Sequence, residues 1–86
     1  MDESRRDAFA GRLFDASLAT MDLFSVYIGE RLGLYLVLER TGPLTPSAFA
    51  ARAGIDERYA REWLEQQAVT GILDVDLSSD PPRFSL

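Results

Sequence analysis

The 86-residue chain contains no cysteine, no histidine and no lysine. Without cysteine there is no disulfide, no thiol chemistry and no thiolate set for structural zinc. Without histidine the usual general base at neutral pH is missing. With lysine also absent, no ordinary nucleophile–base pair can be assembled. No apolar run approaches the ~20 residues needed to span a bilayer. The opening Met1-Asp2-Glu3-Ser4-Arg5-Arg6 lacks the continuous apolar stretch that follows the charges of a signal peptide. Basic charge is scarce as well: nine arginines stand against 14 acidic residues, a net charge of −5. Such a field does not attract a phosphate backbone. The lack of cysteine fits a reducing compartment, and the cytoplasm is the expected location.

What the chain does have is apolar surface. Hydrophobic residues make up 47% of it, too many for a disordered segment. The length suits one domain with a thin core of its own.

The spacing predicts a long helix over roughly Arg5 to Leu32. Phe14, Leu18, Met21, Ser25, Ile28 and Leu32 form one stripe at helical spacing. Phe9, Leu13, Ala16, Thr20, Leu23 and Tyr27 form a second stripe beside it. The apolar surface therefore covers more than half the circumference, wider than a surface helix needs. About 25 residues at ~1.5 Å each span roughly 38 Å, longer than so small a domain. Either a second copy or a larger domain covers the excess, or the helix bends near Ser25 or Gly29 and folds onto itself.

Beyond Gly33, Leu34–Arg40 reads as a short helix stopped at Gly42. Thr45 is a candidate N-cap with Pro46 at the first helical position, and Gly54 a left-handed stop. Asp56 caps a further helix to about Thr70, with Tyr59, Trp63 and Gln67 on one stripe and Ala60, Leu64 and Ala68 on the next. Leu73, Val75 and Leu77 then alternate with Asp74, Asp76 and Ser78, as in a half-buried strand. Ser79-Asp80-Pro81-Pro82 turns the chain into a returning strand from Arg83. The fold class is mainly α: a winged helix-turn-helix with a long N-terminal helix and a small C-terminal β-hairpin.

A winged helix suggests DNA, with Arg58 and Arg61 on the recognition helix. Glu57, Glu62 and Glu65 oppose them on the same helix, however, and local ion pairs with Glu62 and Glu65 account for both arginines. Asp74, Asp76 and Asp80 leave the wing acidic beside Arg83 alone, the wrong sign for phosphate. Asp56-Glu57 resembles a carboxylate pair, yet a helix cap explains it. Gly29 and Gly33 lie in a helical run and form no phosphate loop. Tyr59 and Trp63 fit a core better than a ligand platform. Tyr27 and Tyr35 suit either burial with one hydrogen bond or a pocket completed by another domain.

Several runs together carry a family resemblance. They are Gly29-Glu30-Arg31-Leu32-Gly33-Leu34-Tyr35, Gly42-Pro43-Leu44-Thr45-Pro46, Ala50-Ala51-Arg52-Ala53-Gly54, Asp56-Glu57-Arg58-Tyr59-Ala60-Arg61-Glu62-Trp63-Leu64 and Thr70-Gly71-Ile72-Leu73. Over Gly29 to Leu86 the sequence resembles the N-terminal winged-helix domain of bacterial class I S-adenosylmethionine-dependent methyltransferases. Small-molecule O-methyltransferases carry a related dimerisation domain. The resemblance implies a domain without catalytic, cofactor-binding or metal-binding residues of its own. It implies a homodimer built through long N-terminal helices, with Phe9, Leu13, Phe14, Leu18 and Met21 at the seam. It also implies a lid, including Tyr27 and Tyr35, over the substrate pocket of a Rossmann-like catalytic domain. That domain, which would hold S-adenosylmethionine, is not among these residues and is expected in cis or in trans. Residues 1–40 read as a helical dimerisation segment and 41–86 as the winged-helix core, one compact domain together. The alternatives are a DNA-binding regulator and a free-standing accessory subunit of a separate catalytic chain.

Overall fold

The computed structural model describes residues Asp2 to Leu86. Four helices precede a hairpin: α1 (Glu3–Arg31), α2 (Leu34–Thr41), α3 (Pro46–Ala53), α4 (Glu57–Val69), β1 (Asp74–Asp76) and β2 (Arg83–Ser85). This is the winged helix-turn-helix expected from the spacing.

Local chemistry sets the helix ends. The Asp2 carboxylate accepts the Arg5 backbone N–H at 2.8 Å and opens α1. The hydrogen bonds from the Arg5 N–H and the Ser4 hydroxyl hold this carboxyl below its ordinary value. Thr45 Oγ1 accepts the Ala48 N–H at 3.3 Å and Asp56 accepts the Tyr59 N–H at 3.1 Å, capping α3 and α4. Gly54 closes α3 at φ 70°, in the left-handed region that glycine enters without a Cβ clash.

α1 runs unbroken through Ser25 and Gly29, so the bend entertained at those positions does not occur. Its 29 residues rise about 43 Å and set the long axis of a molecule 53 × 29 × 20 Å across. Gly29 serves close approach instead. A Cβ there would stand 2.5 Å from Trp63 Cζ2 and 2.7 Å from Tyr35 Cε2.

The core joins α2, α3, α4 and the hairpin: Leu34, Leu38, Phe49, Ala60, Trp63, Leu64, Leu73 and Phe84 are all buried. Phe49 stacks on Trp63 with centroids 5.8 Å apart, and Tyr35 meets Trp63 edge-on at 5.2 Å. Leu34 and Leu38 of α2 thus lie N-terminal to position 40 and share the core of the segment that follows it.

β1 and β2 pair antiparallel, with Val75 opposite Phe84. Leu44 and Phe84 exchange backbone bonds of 3.0 and 2.8 Å, which ties the wing to the α2–α3 connection. The expected half-buried strand is not realised: all three residues of β1 are exposed, and only Leu73, just before it, is buried. Val75 is 37% exposed and Leu77 76%. A ribbon of three-residue strands with no second layer across it has nothing to cover further alternate positions.

Candidate functional site

Every residue from Asp2 to Met21 is exposed, so the first two-thirds of α1 stands clear of the body. The helix joins the body through its last third. Gln66 Nε2 donates to Asp22 Oδ1 at 2.8 Å, Ser25 Oγ donates to Gln66 Oε1 at 2.6 Å, and Trp63 Nε1 donates to the Ser25 carbonyl at 3.0 Å. Behind them Gln67, fully buried, donates to Ser25 Oγ at 3.0 Å and accepts from the Tyr35 hydroxyl. One polar chain therefore links α1, α2 and α4 inside an apolar setting, where each satisfied pair fixes the crossing and an unpaired one would be costly. Among the described residues no buried side-chain nitrogen or oxygen lacks a partner.

Above this chain a groove of about 980 Å³ opens between α1 and α4. Leu18, Met21, Phe24 and Ile28 wall it on one side, and Trp63 and Val69 on the other. Asp22, Ser25, Glu62 and Gln66 supply its few polar atoms. The structure thus brings Leu18 and Met21 to the groove. Phe9, Leu13 and Phe14 lie on the projecting part of the same helix, 48%, 54% and 64% exposed. Tyr27 is exposed and Tyr35 half-buried, its phenol raised above the ordinary value by that burial; neither lines the groove. Gln67 is the functional surprise. Its place on the Tyr59–Trp63 stripe suggested an inward position, but its partners are 32 and 42 residues away in sequence.

Among the described residues no group of three or more acidic side chains converges on a metal position. Arg58 pairs with Glu62 as expected, whereas Arg61 pairs with Glu57 and not with Glu65, both at 3.4 Å. The choice of Glu57 follows the preferred order on a helix, acid four residues before base. Both pairs sit in solvent, where they contribute little. On the wing, Asp76 accepts the Ser78 hydroxyl and N–H, at 2.6 and 3.0 Å, which lowers its carboxyl below the ordinary value and keeps the turn acidic. No described helix is long and apolar enough to cross a membrane.

Comparison with known proteins agrees with this architecture. Residues 13–84 match the family described as "Rv2258c-like winged HTH domain". No curated protein matches the sequence. Among solved structures, that of the mitomycin 7-O-methyltransferase MmcR is similar, with a TM-score of 0.78 and 26% identity. The match covers 98% of this chain and 24% of that one, so the chain spans about a quarter of the methyltransferase's length.

Proposed function

We propose, from the premise that this chain belongs to the Rv2258c-like winged helix-turn-helix domain family, that it is the dimerisation and substrate-gating domain of a methyltransferase and does no chemistry itself. The exposed apolar arm of α1 carries this reading. Phe9, Leu13, Phe14, Leu18, Met21, Leu23, Phe24 and Tyr27 are each between 47% and 71% exposed. At roughly 100 Å² apiece they offer on the order of 800 Å² of exposed apolar surface, of which the five seam residues named below supply about 500 Å². A lone soluble chain does not keep so much apolar surface on one helix without a partner.

In this reading Phe9, Leu13, Phe14, Leu18 and Met21 form the seam of a homodimer. Tyr27 and Tyr35 flank the pocket of a Rossmann-like catalytic domain supplied in cis or in trans. S-adenosylmethionine belongs to that other domain. The residues present here do not fit it, because the positive-φ glycines Gly33, Gly42, Gly54 and Gly71 all lie at helix ends and none follows a strand. The similarity to a quarter of a methyltransferase supports the pairing with a catalytic domain.

Leu18→Glu tests the seam. Leu18 is 47% exposed in the single chain, so the substitution leaves the fold intact. It places a charge inside the dimer, where an unpaired carboxylate costs several kcal/mol. The expected outcome is a helical monomer by circular dichroism and light scattering. An unchanged dimer would remove Leu18 from the interface.

A further inference from the structure

The wing ends in an open sheet edge. Leu44 and Phe84 exchange both of their backbone bonds, so the N–H and C=O of Phe84 point towards Leu44. Along a strand these groups alternate sides from one residue to the next. Arg83 and Ser85 therefore turn theirs towards β1. The Asp74–Ser85 and Asp76–Arg83 pairs carry the ladder, and the Val75–Phe84 pair between them carries no bond. Val75 consequently directs its N–H and C=O outward, away from β2. Leu73, two residues earlier and of the same parity, also bonds outside the ladder: its N–H reaches the Gln67 carbonyl at 3.1 Å. Among the described residues neither polar group of the Val75 backbone has such a partner, and the residue is 37% exposed.

We propose that this edge takes up an extended peptide segment, an apolar residue between two cationic ones, as a further strand antiparallel to β1. The central residue of the segment exchanges both backbone bonds with Val75, as in strand addition to a sheet edge. Its side chain then lies beside Val75, on the face that Val75 shares with Phe84, and covers apolar surface that the ribbon leaves open. The two flanking residues stand opposite Asp74 and Asp76, whose side chains lie on the other face. Asp76 already faces Arg83 across the ladder, whereas Asp74 faces Ser85 and has no ion pair among the described residues. A cation at each flanking position continues the alternation that Arg83 and Asp76 begin and gives Asp74 its missing counter-charge.

The same charges reject a second copy at this edge. Two β1 strands paired antiparallel about Val75 would set Asp74 opposite Asp76 on both sides of the centre, and like charges directly opposite are destabilising. The aspartates thus prevent self-pairing, the hazard of an open edge, and leave it available to a segment of opposite charge. The net charge of −5 adds a long-range attraction for such a segment. The inference uses no residue of α1 and stands apart from the dimer reading.

The probe is the blocked peptide acetyl-Thr-Arg-Val-Arg-Thr-amide, titrated into the isotope-labelled full chain and followed by amide NMR. Saturable shifts centred on β1 are expected, with slowed solvent exchange at the Val75 N–H. Two changes test the backbone pairing without altering any charge. N-methylation of the peptide's valine removes the donor to the Val75 carbonyl. Val75→Pro removes the chain's own donor, and proline is tolerated where the N–H of an edge strand faces solvent, so the β1–β2 bonds remain. Each is expected to weaken binding about tenfold. A peptide with glutamate in place of both arginines is expected not to bind. The absence of shifts at β1 up to ~10 mM peptide overturns the proposal. So does an N-methylated peptide that binds as tightly as its parent, since attraction to the acidic wing alone then accounts for the binding.

Discussion

Gly29 marks the point where the arm becomes part of the body. Trp63 and Tyr35 lie so close to its α-carbon that no Cβ fits. Gly29→Ala is therefore expected to destabilise the fold by about 1–3 kcal/mol, the usual cost of overpacking, despite alanine's better helix propensity. Urea denaturation checks this, and Gly11→Ala, where a Cβ meets nothing within 4 Å, is the control that should be neutral or stabilising. Tyr35 carries a second residue-scale signature. Burial raises its phenol above 10.0, so the folded chain holds the proton more tightly than the unfolded chain does. The stability this confers is complete below that pH and is lost as pH rises through the higher folded value. Tyr35→Phe is expected to cost about 1 kcal/mol at neutral pH, through the lost bond to Gln67, and to lessen the alkaline decline in the urea midpoint.

At the scale of elements, the wing depends on one side chain. Phe84 is buried, pairs with Val75 and exchanges backbone bonds with Leu44. Phe84→Ala is expected to cost about 3–5 kcal/mol, whereas Leu77→Ser, at an exposed turn position, should stay within about 0.5 kcal/mol. Thermal melts followed by circular dichroism separate the two. What could be read in the sequence, and what could not, divides along the same line. Asp56, Thr45-Pro46 and Gly54 announced the ends of α3 and α4 because caps and left-handed stops act within a turn of the chain. The long α1 was legible because its two stripes each repeat over about five turns. Val75 and Leu77 misled because alternation assumes a layer on the buried side, and a three-residue ribbon has no such layer at its tip. The Asp22–Gln66–Ser25–Gln67–Tyr35 chain was hidden because its bonds cross between helices far apart in sequence. The groove was hidden for the same reason, although its α1 wall, Leu18–Met21–Ile28, was already one of the stripes.

At the scale of the whole molecule, the shape is an arm on a body. The winged-helix body satisfies its own polar groups and fills its own core. The arm leaves apolar surface that the 86 residues cannot cover, while the arginines of α4 are paired with Glu57 and Glu62 on the body. The exposed helix is the feature on which the proposed role in assembly rests. The molar mass of the unmodified chain by light scattering, followed across dilution, addresses that role most directly. A mass of twice the 9.6 kDa chain, falling towards one chain only on strong dilution, is the expected result. A mass of 9.6 kDa persisting to the highest soluble concentration would contradict it.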